Sequence, residues 1–344
     1  MDRQCKTADL CSGRKWHVFA VLTLLAATFL LYSSSLGHGF IFIWDDYKYV
    51  VNNPDIRGNN LESLKSVFSR YYIGNYAPLH LISYMLDYQL WGLEPAGYHF
   101  GNILLHALNG LLVYRLLLML KLPSLPALFV AALFLLHPVQ VESVAWVSER
   151  KNVLSALFFL LSLLSYIDYR KNDTASLRYH LISLTFFACA LLTKSVAVVF
   201  PVIIICYDYC YYRKTDSLNL ADKLPFLLLA LATAILAVMS QQKAGGIEIS
   251  DYPGGTLLGA LRTMIPVFLS YLKDLFYPLD LSPYYMVPIR KYADGGVMLA
   301  ATLLIGLGGV CVMLFRRRPQ LLFLFQYTSS PFCRLCRLSR FLPR

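Results

Sequence analysis

Charged residues are scarce in this chain of 344 residues: 15% are Asp, Glu, Lys or Arg, whereas 57% are apolar. Soluble globular domains carry about 25% charged residues, so the composition excludes a soluble nucleic-acid-binding domain, a disordered chain and a secreted disulfide scaffold. Several apolar runs approach the ~20 residues that a helix needs to cross a membrane. The sequence therefore predicts an all-α protein, a polytopic transmembrane helical bundle.

The local motifs of several enzyme classes are also missing. No P-loop, G-x-S-x-G, H-E-x-x-H or G-x-G-x-x-G pattern is present, so nucleotide binding, serine hydrolysis and zinc proteolysis lack their signatures. Cys333 and Cys336 form a single C-x-x-C without the second ligand pair of a zinc site. No internal repeat is present either, which excludes a solenoid.

The basic residues are concentrated near the ends of the chain. The net charge is +11, but residues 316–344 contain seven Arg and no acid, which leaves +4 for the rest. Basic residues beside apolar spans orient a membrane protein and contact anionic lipids, so we predict membrane lipids, and no nucleic acid, as partners. Four basic residues precede the first apolar run at 16–34 and place residues 1–15 in the cytoplasm. A cleaved signal peptide is the competing interpretation, which the length of the run disfavours.

The predicted transmembrane domain covers residues 16–315 and includes an outer loop at 35–98. Within this loop, residues 59–71 predict an amphipathic helix, with Asn59 and Glu62 spaced like a capping box. We expect this helix, and a second one at 77–92, to lie in the membrane interface. Later spans are expected at about 99–119, 124–137, 152–169, 179–194, 196–212, 224–240, 257–277 and 296–315. Nine full crossings would leave the basic tail at 316–344 outside, so either 257–277 does not span or the last span is misplaced.

Two adjacent acids, Asp45 and Asp46, lie in the outer loop among aromatic residues. A carboxylate pair near the interface can act as a general base or bind a metal, because apolar neighbours and the second acid adjust its pKa. The alternative is a pair of solvated loop acids within an aromatic belt. The residues alone leave both interpretations open.

A second group of polar residues joins two predicted spans on the same outer face. It consists of His137, Glu142, Glu149, Arg150 and Lys151. Cations are unexpected on this side of the membrane, and an anionic ligand such as a phosphate would explain them. The alternative is a Glu149–Arg150 surface pair with a snorkelling Lys151.

Two further sets of polar residues interrupt apolar segments. Lys194 lies at the break between two apolar runs, again on the outer side, and is a candidate functional residue by its position. Four others occur at helical spacing within one span: His99, Asn102, His106 and Asn109. For these four we predict hydrogen bonds between helices rather than a metal site, since a metal needs further converging ligands.

Two stretches of the sequence resemble known membrane enzymes. The residues Phe42-Ile43-Trp44-Asp45-Asp46, with Tyr76-Ala77-Pro78-Leu79 and Trp91-Gly92-Leu93, resemble the N-terminal half of polyprenyl-phosphate-sugar-dependent glycosyltransferases of the GT-C fold. The string HPVQVESVAWVSERKNVLS at 137–155 is similar to the signature of bacterial tetratricopeptide-repeat membrane proteins related to the TMTC protein O-mannosyltransferases. The resemblance covers about residues 15–318.

This resemblance implies a GT-C-like membrane glycosyltransferase. Such an enzyme moves a sugar, here mannose, from a polyprenyl- or dolichyl-phosphate donor to an acceptor hydroxyl of a protein at the outer membrane face. By resemblance, Asp45 and Asp46 supply the catalytic base, while Arg150, Lys151 and Lys194 bind the donor phosphate. His137, Glu142 and Glu149 would shape the site. No metal ligand and no cofactor is assigned, and metal dependence stays open. The expected location is the bacterial inner membrane, or the endoplasmic reticulum membrane in a eukaryote.

Other interpretations stay open beside the enzyme. A carrier or flippase for polyprenyl-linked sugars would use the same cations, and a non-catalytic scaffold would need none of these groups. Relatives continue beyond residues 316–319 with further spans and tetratricopeptide repeats, whereas residues 319–344 look unlike such a continuation. We therefore expect a truncated or frameshifted tail, which would favour an inactive fragment.

Overall fold

The computed structural model describes residues 2–171, 176–212, 220–243, 256–279, 281–282 and 292–317. Cys333, Cys336 and the tail from residue 318 lie outside these ranges. The α-helices within them are α1 (Asp2–Tyr32), α2 (Leu61–Ser69), α3 (Pro78–Trp91), α4 (Pro95–Met119), α5 (Ser124–Leu136), α6 (Val141–Ala145), α7 (Arg150–Lys171), α8 (Ser176–Thr193), α9 (Phe200–Tyr212), α10 (Leu224–Lys243), α11 (Leu257–Phe276) and α12 (Gly295–Arg317). The described residues contain no β-strand, only an isolated bridge between Tyr72 and Asn75. The prediction of an all-α fold is confirmed.

Four helical segments are long and apolar enough to cross a membrane: Lys15–Gly37, Pro95–Met119, Val147–Lys171 and Ala221–Gln242. A fifth span is possible if α5 and the segment Pro138–Ala145, which meet at an angle of 48°, count as one. Large apolar side chains point outward from these helices, as lipid contact requires. Leu30 and Phe129, for example, are 77% and 69% exposed. The chain is therefore a polytopic helical membrane protein.

The segment at 257–277 forms α11, a helix of 20 residues that contains Arg262, Pro266, Lys273 and Asp274. It is not among the described helices that are long and apolar enough to span. The last predicted span, at 296–315, is not among them either, because its apolar segment Gly295–Gly309 is shorter than a full span, so both explanations for the odd number of crossings stay open. The segments predicted at 179–194 and 196–212 form apolar helices too, but they are shorter than a full span.

Both helices predicted in the outer loop are present, with one correction. The N-terminus of α2 is capped by Asn60 and not by Asn59, because the Asn60 Oδ1 accepts the Ser63 backbone N–H at 2.9 Å. The apolar side chains of Leu61 and Phe68 are exposed on α2, as expected of an interfacial helix. In contrast, α3 packs into the protein, since its His80 and Tyr84 side chains are fully buried.

The described residues form two compact units. The first comprises the described residues up to Phe68 together with Pro78–Ala197. In its core, α1, α4 and α5 pack around Leu24, Leu117 and Leu135. A Cβ on Gly110 of α4 would lie 2.4 Å from the Leu135 side chain, so only glycine permits this close approach of α4 and α5. On its other side α4 packs against α7, and α7 packs along α8.

The second unit comprises Ser69–Ala77 and the described residues from Val198 onwards. In it α9 packs against α10, and α11 packs against α12. Lys223, which is fully buried, forms ion pairs with Asp208 and Asp222 at the junction of α9 and α10. All the residues that the sequence nominates as functional lie in the first unit.

Candidate functional site

The structure brings the first loop and the turn around residue 148 together. The Asp46 side chain is 1% exposed, and its Oδ1 accepts the Ser148 backbone N–H at 2.9 Å and the Ser148 hydroxyl. The Trp44 and Trp146 rings pack beside these bonds with their centroids 4.9 Å apart. The two segments that the sequence singled out separately therefore form one site.

The two adjacent acids have different surroundings. The second Asp46 oxygen, Oδ2, accepts the Ile41 backbone N–H at 2.9 Å, so both oxygens of this carboxylate hold the loop. Asp45 is partly exposed, and it makes no hydrogen bond or ion pair with any residue that the structure describes. Asp45 is therefore the acid without a partner among the described residues, whereas Asp46 is a fixed acceptor.

Arg150 is enclosed by other groups of the protein. Its guanidinium is 1% exposed, and it donates to the Asn102 Oδ1 and to the Tyr98 carbonyl oxygen, each at 2.7 Å. It also pairs with the Asp87 carboxylate and lies 4.9 Å from the centre of the Tyr84 ring. With its donors taken up by protein groups, Arg150 has a structural role here and leaves no accessible group for a phosphate.

Sequence reasoning missed Asp87 as the partner of Arg150. Burial raises the pKa of the Asp87 carboxyl, and the nearby Arg150 guanidinium opposes this rise. Gly101 provides the space for the pair, because a Cβ there would lie 2.8 Å from the Arg150 Nη2. The available signal was an ionisable residue within an otherwise apolar helix, which is costly unless it is paired.

A cluster of charges lies beside the turn, which we name the lysine cluster: Glu149, Lys151, Asn152 and Lys194. The Lys151 Nζ lies 2.8 Å from the Glu149 Oε1, and the Lys194 Nζ lies 3.8 Å from the Glu149 Oε2. The Asn152 side chain donates to the Glu149 Oε2 at 2.6 Å and accepts from the Lys194 Nζ. Burial lowers the pKa of Lys194, and Glu149 raises it in opposition. Two lysines from separate turns thus converge on one carboxylate.

A buried aromatic group supports the lysine cluster. The Tyr84 hydroxyl donates to the Val147 carbonyl oxygen at 2.7 Å, so the His80 Nε2, 2.8 Å from that hydroxyl, must donate to it. Burial, and then the nearby cations led by Lys151, hold the pKa of His80 well below its usual range, so the imidazole is neutral. The Tyr49 ring lies near both His80 and Lys151: its centre is 5.1 Å from the centre of the His80 ring and 5.7 Å from the Lys151 Nζ.

The remaining predicted residues have simpler roles. The His137 Nδ1 accepts the Val139 backbone N–H at 3.2 Å and so caps the turn before α6, and Glu142 is exposed on α6.

Three of the four polar residues on α4 bond to other segments through backbone carbonyl oxygens: Asn102 to Val144 and Trp146, His106 to Leu135, and Asn109 to Val153. The prediction of hydrogen bonds between helices is confirmed for these three. His99 is buried, with its ring 6.4 Å from that of His38. Among the described residues, no three His, Cys, Asp or Glu side chains come together as metal ligands.

The chain is similar to several protein O-mannosyl-transferases. The chain is 33% identical over 223 residues to the mouse protein O-mannosyl-transferase TMTC1, and 31% identical over 256 residues to the human TMTC1. It is 29% identical over 218 residues to the Caenorhabditis elegans protein O-mannosyl-transferase F38B6.6. The predicted resemblance to TMTC proteins is confirmed. No family model and no solved structure matches the chain.

The matches cover most of this chain but a small part of each relative. They include 58%, 68% and 60% of the chain for the mouse, human and worm proteins, respectively. They include only 23%, 27% and 30% of those relatives in the same order. The chain thus spans about a quarter of the length of the TMTC proteins that it resembles.

Proposed function

We propose that this chain is the membrane-embedded part of a glycosyltransferase that moves mannose from a polyprenyl- or dolichyl-phosphate donor to a hydroxyl of a protein. The active face would be the outer face of the membrane, in the bacterial inner membrane or the endoplasmic reticulum. The names of the relatives support the sugar and the protein acceptor. The observation that carries the proposal is the bond between Asp46 and Ser148, which joins the loop of Asp45 to the turn that precedes Lys151.

The reaction that we propose is a direct displacement. The acceptor oxygen attacks the anomeric carbon while the bond from that carbon to the phosphate oxygen breaks, and the hydroxyl proton passes to the Asp45 carboxylate. The polyprenyl phosphate leaves with the bonding electrons, and its negative charge is balanced by Lys151 and Lys194. Asp46 positions its neighbour through Ile41 and Ser148. A single displacement of this kind inverts the anomeric centre.

The roles of the site residues are separable by mutation. The purified protein in lipid nanodiscs would receive a polyprenyl-phosphate mannose labelled in the sugar, with a Ser/Thr-containing peptide as acceptor. Asp45→Asn should lower the transfer rate at least ~100-fold while donor binding is retained, since a positioned base contributes about 10²–10⁴-fold. Asp46→Asn should lower both transfer and thermal stability, because it weakens a buried anchor. Glu62→Gln, at an exposed position of α2, is the matched control.

The outcome decides between an enzyme and a carrier. Full transfer by Asp45→Asn would contradict the assignment of the base. Donor binding without any transfer by the unmodified chain would contradict the enzyme and favour a carrier of polyprenyl-linked sugars.

A further inference from the structure

The lysine cluster contains an anion of its own. The Glu149 carboxylate receives hydrogen bonds or ion pairs from three groups, the ammonium groups of Lys151 and Lys194 and the amide of Asn152. These donors come from the start of α7 and from the break between α8 and the next helical turn. The donors around Glu149 are of the kind that bind the oxygens of a phosphate, an ammonium pair and an amide.

The lysine cluster differs from Arg150 in its access to solvent. The side chains of Lys151 and Lys194 are 15% and 30% exposed, against 2% for that of Arg150. A ligand can reach the two ammonium groups without opening the protein interior. Glu149 is only 8% exposed, because it lies between the cations that it neutralises.

We propose that Glu149 is an internal counter-ion that takes the position of the donor phosphate and is displaced when the phosphate binds. The inference rests on the proposed function, since it concerns the phosphate of that donor. The ligand class is a phosphate monoester or diester anion, whether it is carried by a lipid or free in solution. Glu149 offsets the repulsion between the two ammonium groups, and it competes with the ligand for them.

The direction in which one substitution changes the affinity for phosphate tests this inference. A glutamate that contacts the sugar or the acceptor would weaken binding when it is changed, whereas a competing counter-ion strengthens binding when its charge is removed. Glu149→Gln retains the size of the side chain and one acceptor oxygen. It removes the negative charge, so that the two ammonium groups become available to the ligand. We expect the Kd for a phosphate ligand to fall about tenfold, the effect of one charge-assisted contact of about 1.4 kcal/mol.

The experiment measures binding in nanodiscs with two probes, undecaprenyl monophosphate within the bilayer and pyrophosphate in solution. Tighter binding of either probe by Glu149→Gln supports the proposal, and a gain for the lipid alone identifies the lipid-linked source. Asn152→Asp is a second variant of opposite sign, because it adds a carboxylate to the cluster and should weaken binding about tenfold. Glu62→Gln should leave the Kd unchanged. The proposal is overturned if Glu149→Gln binds the probes as tightly as the unmodified protein or more weakly. If Glu149→Gln does not fold, unchanged binding by Asn152→Asp overturns the proposal instead.

Sugar transfer, measured on the same preparations, separates this inference from the proposed function. If the unmodified protein transfers mannose but Glu149→Gln binds phosphate more weakly, the counter-ion role of Glu149 is refuted and the proposed glycosyltransferase function is retained. If the unmodified protein neither transfers nor binds either probe, both are refuted.

Discussion

The ion pair between Asp87 and Arg150 should be the most sensitive charged contact in the first unit. Both partners are removed from solvent, with side chains 13% and 2% exposed, and the pair joins α3 to the start of α7. Removing one partner of a buried pair leaves an uncompensated charge in the interior, which typically costs about 3–5 kcal/mol. Asp87→Asn should therefore lower the free energy of unfolding by about 3 kcal/mol.

A double-mutant cycle isolates the contribution of the pair. Arg150→Met removes the cation but retains an apolar stem, so the double variant Asp87→Asn/Arg150→Met contains no unpaired charge. We expect it to lose less stability than the sum of the two single variants by more than about 1 kcal/mol. Unfolding in mixed micelles with increasing denaturing detergent provides the measurement, and Glu62→Gln provides the baseline. Additive losses, or an Asp87→Asn variant as stable as the unmodified protein, would refute the reasoning.

Two further results are expected from substitutions around the site. Gly101→Ala should destabilise the protein by about 1–3 kcal/mol, because the new Cβ would lie 2.8 Å from the Arg150 Nη2, whereas Gly306→Ala, with open space around its helix position, should be neutral or slightly stabilising. Comparison of the two melting curves checks this, and equal effects would contradict it. Binding of pyrophosphate should weaken with rising pH before the usual lysine range is reached, because burial lowers the pKa of Lys194 and the ammonium is lost earlier. Lys194→Arg should shift that loss to higher pH, and a pH titration of the Kd that is identical for both proteins would contradict the role of Lys194.

The parts of the fold that follow from local pattern could be predicted from the sequence. Apolar runs predicted the helices, and the polar residues on α4 at helical spacing predicted bonds to neighbouring helices, as Asn102 and Asn109 show. The N-cap of α2 was predicted one residue early, because Asn59 and Asn60 are both suitable caps and only the backbone geometry selects between them.

The contacts that depend on distant partners could not be predicted in this way. Asp87 and Arg150 are 63 positions apart, and nothing in either local sequence indicates that α3 and α7 meet at this point. Asp45 and Asp46 are identical in residue type and adjacent. Their different roles arise only because Ser148 and Ile41 donate to one of them and to no oxygen of the other.

The three consecutive charges at 149–151 show why residue type alone does not assign a function. Successive residues at the start of a helix point about 100° apart, so three neighbours cannot share one environment. Arg150 points into the protein, where Asp87 and Asn102 hold it, and this fixes the backbone from which its two neighbours project. Glu149 and Lys151 then meet at 2.8 Å, where the Lys151 side chain is partly exposed. The buried middle charge therefore positions the pair beside it, so a change at Arg150 should act on the fold first and on ligand binding through it, whereas changes at its neighbours act on binding directly.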